Sequence, residues 1–139
     1  MNEYSWNDLQ IGMKQEFEVS VTQDAMDAFG KISGDSNPLH ADPAYAARFG
    51  FERAVVFGLL TSSFYSCLVG VYLPGKHALL QGIDIDFVAP VYVGDTLLVV
   101  GEIIFLSEAY HRAEIKARIC KQGGVVVSKA TIRVGVHAA

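Results

Sequence analysis

The sequence predicts a single α+β domain, in which an antiparallel sheet of about five strands covers one long, mostly buried helix. Two observations carry that prediction. The hydrophobic period changes once along the chain, from the helical value near 3.6 to the strand value of 2. The 139 residues are 51% hydrophobic and 19% charged, which supplies one sizeable core and shows no disorder signature.

"MKQEFEVSV", Met13 to Val21, reads as a short early strand. From Thr22, "TQDAMDAFGKISG" sets Ala25, Met26, Phe29 and Ile32 on one helical face, with Thr22 as N-cap and Gly34 placed to end the helix. "DPAYAARFG" signals a second, short helix: Asp42 caps it, Pro43 suits its first turn, and Gly50 follows its end. "FGLLTSSFYSCLVGVYLPG" mixes small and apolar residues nearly all the way round, as in a helix covered on most sides, and ends before Pro74-Gly75. Downstream, Ile83, Ile85 and Phe87 alternate with Asp84 and Asp86. "DTLLVVGEIIFL" makes the next strand, and then Ala113, Ile115, Ala117 and Ile119 alternate with Glu114, Lys116 and Arg118. "KQGG" is a hairpin connection, and "VVVSKATIRVGV" is the last strand. "PVYVGD", Pro90 to Asp95, marks a chain reversal. No repeat, linker or low-complexity tract interrupts residues 1–139, so they read as one domain.

Eleven Lys and Arg against fifteen Asp and Glu give a net charge of −4, with no basic run to track a phosphate backbone, which argues against nucleic acid as a partner. No apolar stretch reaches the eighteen or so residues that span a bilayer. The start, "MNEYSWNDLQ", lacks the basic and apolar regions of a secretory signal, and Cys67 and Cys120 are too few for a disulfide framework. A cytoplasmic protein with two reduced, buried thiols is the expectation.

Between the first two helices lies "SGDSNPLHADP", Ser33 to Pro43. Asp35 and His40 there form a carboxylate–imidazole pair able to hold water and pass a proton near neutral pH. Asn37-Pro38 between them stiffens the loop, because proline fixes its own φ and drives its predecessor toward extended geometry. Turn-making and capping account for most such residues taken singly. Asp35, His40 and Asp42 match no common metal-ligand spacing. Ser62, Ser63, Ser66 and Cys67 form no nucleophile elbow. His77, His111 and His137 read as surface residues, and Tyr65 and Tyr72 as core or tunnel lining.

The segment from Phe29 to Asp42, "FGKISGDSNPLHAD", closely resembles the signature of the MaoC-like, (R)-specific enoyl-CoA hydratase family, whose core is Gly-Asp-x-Asn-Pro-Leu/Ile-His. The resemblance continues in order through "RAVVFGLLTSSFYSCLVG" and "LPGKHALLQGIDIDFVAPVYVGDTL". It implies the hotdog fold, a long helix wrapped by an antiparallel sheet, and dimers or higher assemblies with an acyl tunnel near the subunit interface. It implies that Asp35 and His40 activate the water added across the C2–C3 double bond of a trans-2-enoyl thioester of coenzyme A or acyl carrier protein. Asn37 then shapes the loop, Ser66 hydrogen-bonds to the catalytic aspartate, and the Gly58 N–H polarises the thioester carbonyl. No metal or redox cofactor is implied, since hydration moves only water and a proton.

Gly58 has a separate physical reason for its role: a helix start offers free N–H groups and the positive end of the macrodipole, and a missing side chain lets an oxygen approach. The family usually has His-Gly where this chain has Phe57-Gly58, so the amide donor is kept and a polar ring is replaced by an apolar one. Two other readings stand beside hydration: a hotdog acyl thioesterase, and a non-catalytic acyl-thioester-binding subunit. Arg48, Arg53 and Lys76 are the candidates for a basic cluster facing the coenzyme's phosphates.

Overall fold

In the computed structural model, which describes residues 1–137, alternating strand residues bury one face and hydrate the other. The elements in chain order are β1 (Lys14–Ser20), α1 (Gln23–Ser33), α2 (Pro43–Arg48), α3 (Gly58–Cys67), β2 (Ala78–Phe87), β3 (Thr96–Ser107), β4 (Arg112–Lys121) and β5 (Val125–Val136). The strands form one antiparallel sheet in the order β1-β3-β4-β5-β2, so β1 and β2 are its edges.

The inner face of the sheet is apolar in register. Ile103 faces Ile115 and Ile115 faces Ile132 across the central strands, and all three are fully buried. Against them lie Tyr65, Leu68 and Leu73 from the helical segment, which continues past α3 as a π-helical turn over Leu68–Tyr72 and stops before Pro74 as expected. Gly101 permits that contact: a Cβ there would lie 2.6 Å from Leu68 Cδ2. The outer face carries cross-strand charge, with Lys14, Glu102 and Lys116 side by side on β1, β3 and β4.

The local signals resolve as expected. Thr22 Oγ1 accepts the Ala25 N–H at 3.1 Å, and Gly34 ends α1 in the left-handed region at φ 74°. Asp42 Oδ1 accepts the N–H groups of Ala44 at 2.9 Å and Tyr45 at 3.2 Å. Three expectations are corrected. Ile32 is 86% exposed, because the last turn of α1 runs past the core that holds Met26 and Phe29. Phe87 is 56% exposed, because it ends an edge strand, whereas Ile83 and Ile85 pack on the core. Cys67 and Cys120 are free but only half-buried. No helix among the described residues is long and apolar enough to cross a membrane.

Candidate active site

The Asp35–His40 loop is built from short-range bonds that its residue types dictate. The Asp35 N–H donates to Ser33 Oγ at 3.1 Å, and Ser33 Oγ donates in turn to the Phe29 carbonyl at 2.8 Å. Asp35 Oδ1 accepts the Asn37 N–H at 3.0 Å, and Asn37 Oδ1 accepts the Leu39 N–H at 2.9 Å. These are successive side-chain turns, and the second caps a 3₁₀ turn over Pro38–His40 with proline in its first position. The His40 N–H closes the frame on the Asn37 carbonyl at 3.0 Å.

That frame is tied to the strand-like segment before α3. The Val55 N–H donates to the Leu39 carbonyl at 3.0 Å, and His40 Nδ1 lies 2.7 Å from the Val55 carbonyl. A carbonyl only accepts, so Nδ1 carries the proton and Nε2 keeps its lone pair in the neutral ring. Phe57, 6% exposed, lays its ring beside the imidazole with centroids 4.1 Å apart, and beside Phe29 at 4.9 Å. His40 Nε2 and Asp35 Oδ2 are then 4.0 Å apart, too far for a direct hydrogen bond and a span one water bridges. The two side chains are 16% and 44% exposed, so the carboxylate is the wetter of the pair.

Asp35, His40 and Gly58 share the wall of one cavity of about 600 Å³, otherwise mostly apolar, with Phe57, Phe87 and Val91 among its lining. The N–H of Gly58, the first residue of α3, finds no acceptor among the described residues. Phe87 covers Gly58 so closely that a Cβ there would lie 2.8 Å from its Cε1. The Gly58 carbonyl accepts Thr61 Oγ1 at 2.8 Å and Ser62 Oγ at 2.9 Å, which firms the first turn.

Of the residues picked from sequence, Asp35, His40 and Gly58 come together, with Asn37 as the loop's internal brace. Ser66 does not join them within one chain. It is seven residues after Leu59, on the same exposed stripe of α3, outside the cavity wall, and Asp35 takes its bond from Asn37 instead. Tyr65 is buried against Ser128 Oγ and Tyr72 stacks on Phe17, and neither lines the cavity. Val55 was not legible as a site residue, because its contribution is a backbone carbonyl that any residue supplies. Among the described residues, no three His, Cys, Asp or Glu side chains converge as metal ligands.

A helix packed on a five-stranded antiparallel sheet, with an Asp–His loop and a helix-start amide on the wall of one apolar cavity, defines the class of fold and site, and comparison with known proteins narrows it. The family model for the MaoC like domain matches residues 7–130. An (R)-specific enoyl-CoA hydratase from Aeromonas caviae is 39% identical over 118 residues, covering 85% of this chain and 88% of that protein. A 3-hydroxybutyryl-CoA dehydratase from Methylorubrum extorquens is 32% identical over 122 residues, covering 88% and 77%. The solved structure of the Aeromonas caviae (R)-hydratase superposes with a TM-score of 0.87 at 36% identity, covering 93% of this chain and 98% of that one. An unliganded R-hydratase from Pseudomonas aeruginosa gives 0.89 at 28% identity, covering 97% and 86%. The chain belongs to the MaoC-like family.

Proposed function

We propose that the protein is an (R)-specific hydratase/dehydratase that adds water to trans-2-enoyl thioesters of coenzyme A or acyl carrier protein, or removes it from the (R)-3-hydroxyacyl products. The observation that carries this reading is the 4.0 Å gap between Asp35 Oδ2 and His40 Nε2, facing the same cavity as the free Gly58 N–H. A water in that gap donates one O–H to each acceptor and turns its own lone pair toward C3. As it attacks, one of the pair takes its proton, and a proton is returned to C2. Negative charge growing on the thioester oxygen is met by the Gly58 amide, which needs no reorganisation because the helix start holds it. Only water and a proton move, so the reaction calls for no redox cofactor. The relatives named as hydratase and dehydratase support the reading.

Loss of enoyl absorbance from crotonyl-CoA tests it. Asp35→Asn and His40→Ala are each expected to lower kcat by about 10²–10⁴-fold. Undiminished rates in both variants remove the pair from the chemistry, and release of free thiol without hydration assigns a thioesterase.

The working state proposed is a cytoplasmic homodimer. The edge strand β2 exposes Leu79, Leu80 and Phe87, and α3 exposes Leu59, an apolar surface that a second copy covers. In that dimer the exposed stripe of α3 offers Ser66 its route to an Asp35 carboxylate. Light scattering on the eluting protein is expected to give twice the 15.1 kDa chain mass, and a monomer mass rejects the dimer.

A further inference from the structure

Beside the catalytic cavity lies a second cluster that hydration does not use. The Tyr92 ring is buried, with the Arg53 guanidinium carbon 4.8 Å from its centroid and Lys121 Nζ at 5.5 Å. Backbone carbonyls of the same segment fix both cations: Arg53 Nη2 donates to the Val93 carbonyl at 3.3 Å, and Lys121 Nζ to the Pro90 carbonyl at 2.9 Å. The Tyr92 hydroxyl accepts the Glu52 N–H at 3.3 Å, which ties the Arg53 loop to the ring. Lys121 forms no ion pair among the described residues, and Arg53 has only the exposed carboxylate of its neighbour Glu52, 3.7 Å away. Phe51, Pro90 and Val91, the chain neighbours of these groups, wall the cavity that contains Asp35, His40 and Gly58. Of the basic residues picked from sequence, Lys76 is engaged with Glu3 at 3.2 Å.

A chain of net charge −4 thus places two convergent cations at the rim of its catalytic cavity, each with donors to spare. Arginine's planar fork suits phosphate oxygens, and lysine adds a point charge. The aromatic platform holds both long side chains in place beforehand, which lowers the ordering cost of binding an anion.

We propose that Arg53 and Lys121, seated on Tyr92, bind a phosphate of the carrier that bears the acyl thioester. This rests on the thioester reading above and adds to it the group by which the carrier is recognised. That phosphate comes either from the pantetheine end, shared by coenzyme A and acyl carrier protein, or from the nucleotide end of coenzyme A.

The test compares kcat/KM for crotonyl-CoA, crotonyl-phosphopantetheine and crotonyl-pantetheine in the parent, Arg53→Gln, Lys121→Gln and the double variant. The parent is expected to prefer the phosphate-bearing substrates, and each single change to cut that preference on the order of tenfold, as for one charge-assisted bond. Added salt lowers the preference in the parent more than in the double variant. Loss of preference for phosphopantetheine assigns the inner phosphate; loss confined to crotonyl-CoA assigns the nucleotide end. A preference unchanged in the double variant overturns the site. Where circular dichroism finds a variant unfolded, Arg53→Met and Lys121→Met replace it, because they remove the charge and keep an apolar stem on the ring. Should the parent turn over none of the three thioesters, the hydratase reading fails by itself. Calorimetric binding of free coenzyme A then decides: about tenfold weaker binding in the double variant supports the site, and equal Kd overturns it.

Discussion

Phe57 stands where the resemblance leads to an expected histidine, and its ring lies against the His40 imidazole and leans on Phe29. Aromatic contacts of this kind contribute about 0.5–1.5 kcal/mol beyond buried area. If that energy orients the imidazole, Phe57→Leu lowers kcat by a factor of about two to ten with KM nearly unchanged. Steady-state kinetics read the split, and an effect confined to KM makes Phe57 mere cavity lining. The turn that carries Asp35, Asn37 and His40 was legible in the sequence because its bonds run between residues within three positions, where residue type dictates the turn. The His40 side-chain bond to Val55, fifteen positions on, was not. Nor was Lys121, because it reaches the Tyr92 loop from the end of β4, 29 positions away in sequence.

At the level of elements, caps and strand alternation were readable for the same reason of locality, and the misreadings all concern where an element sits. Periodicity puts Ile32 and Phe87 on apolar faces, but it does not say that a helix overruns its core or that a strand lies at an edge. Ser66 sits on the helix expected for it, on the open stripe that it shares with Leu59. The start of α3 offers a sharper test. In Gly58→Ala the new methyl meets the far end of the exposed Phe87 ring, which can swing away, so stability measured in urea stays within about 1 kcal/mol. Access to the amide narrows, and kcat/KM for hydration is expected to fall by at least tenfold. An unaffected rate counts against Gly58 as the carbonyl's partner.

For the molecule as a whole, the buried Tyr65 sets an alkaline limit. Burial pushes its phenol up to about 12, partly offset by the bond to Ser128, whereas in the unfolded chain it titrates near 10. Between those values the unfolded state has lost the proton and the folded state has kept it, so stability falls as pH rises from about 10 to 12. Urea midpoints across that window are expected to drop more steeply in the parent than in Tyr65→Phe. Near neutrality the variant is less stable by about 1–3 kcal/mol, because Ser128 is left without its partner. Equal slopes remove Tyr65 as the cause. The staple between the Asp–His loop and the segment before α3 determines which exchanges this chain tolerates there. On the Val55 side it is all backbone, the N–H donating to the Leu39 carbonyl and the carbonyl accepting from His40 Nδ1, so no ordinary side-chain exchange at Val55 deletes it. Side-chain exchanges at position 55 are therefore expected to leave the loop's attachment in place. Only proline there, which has no N–H to offer Leu39, breaks the staple outright.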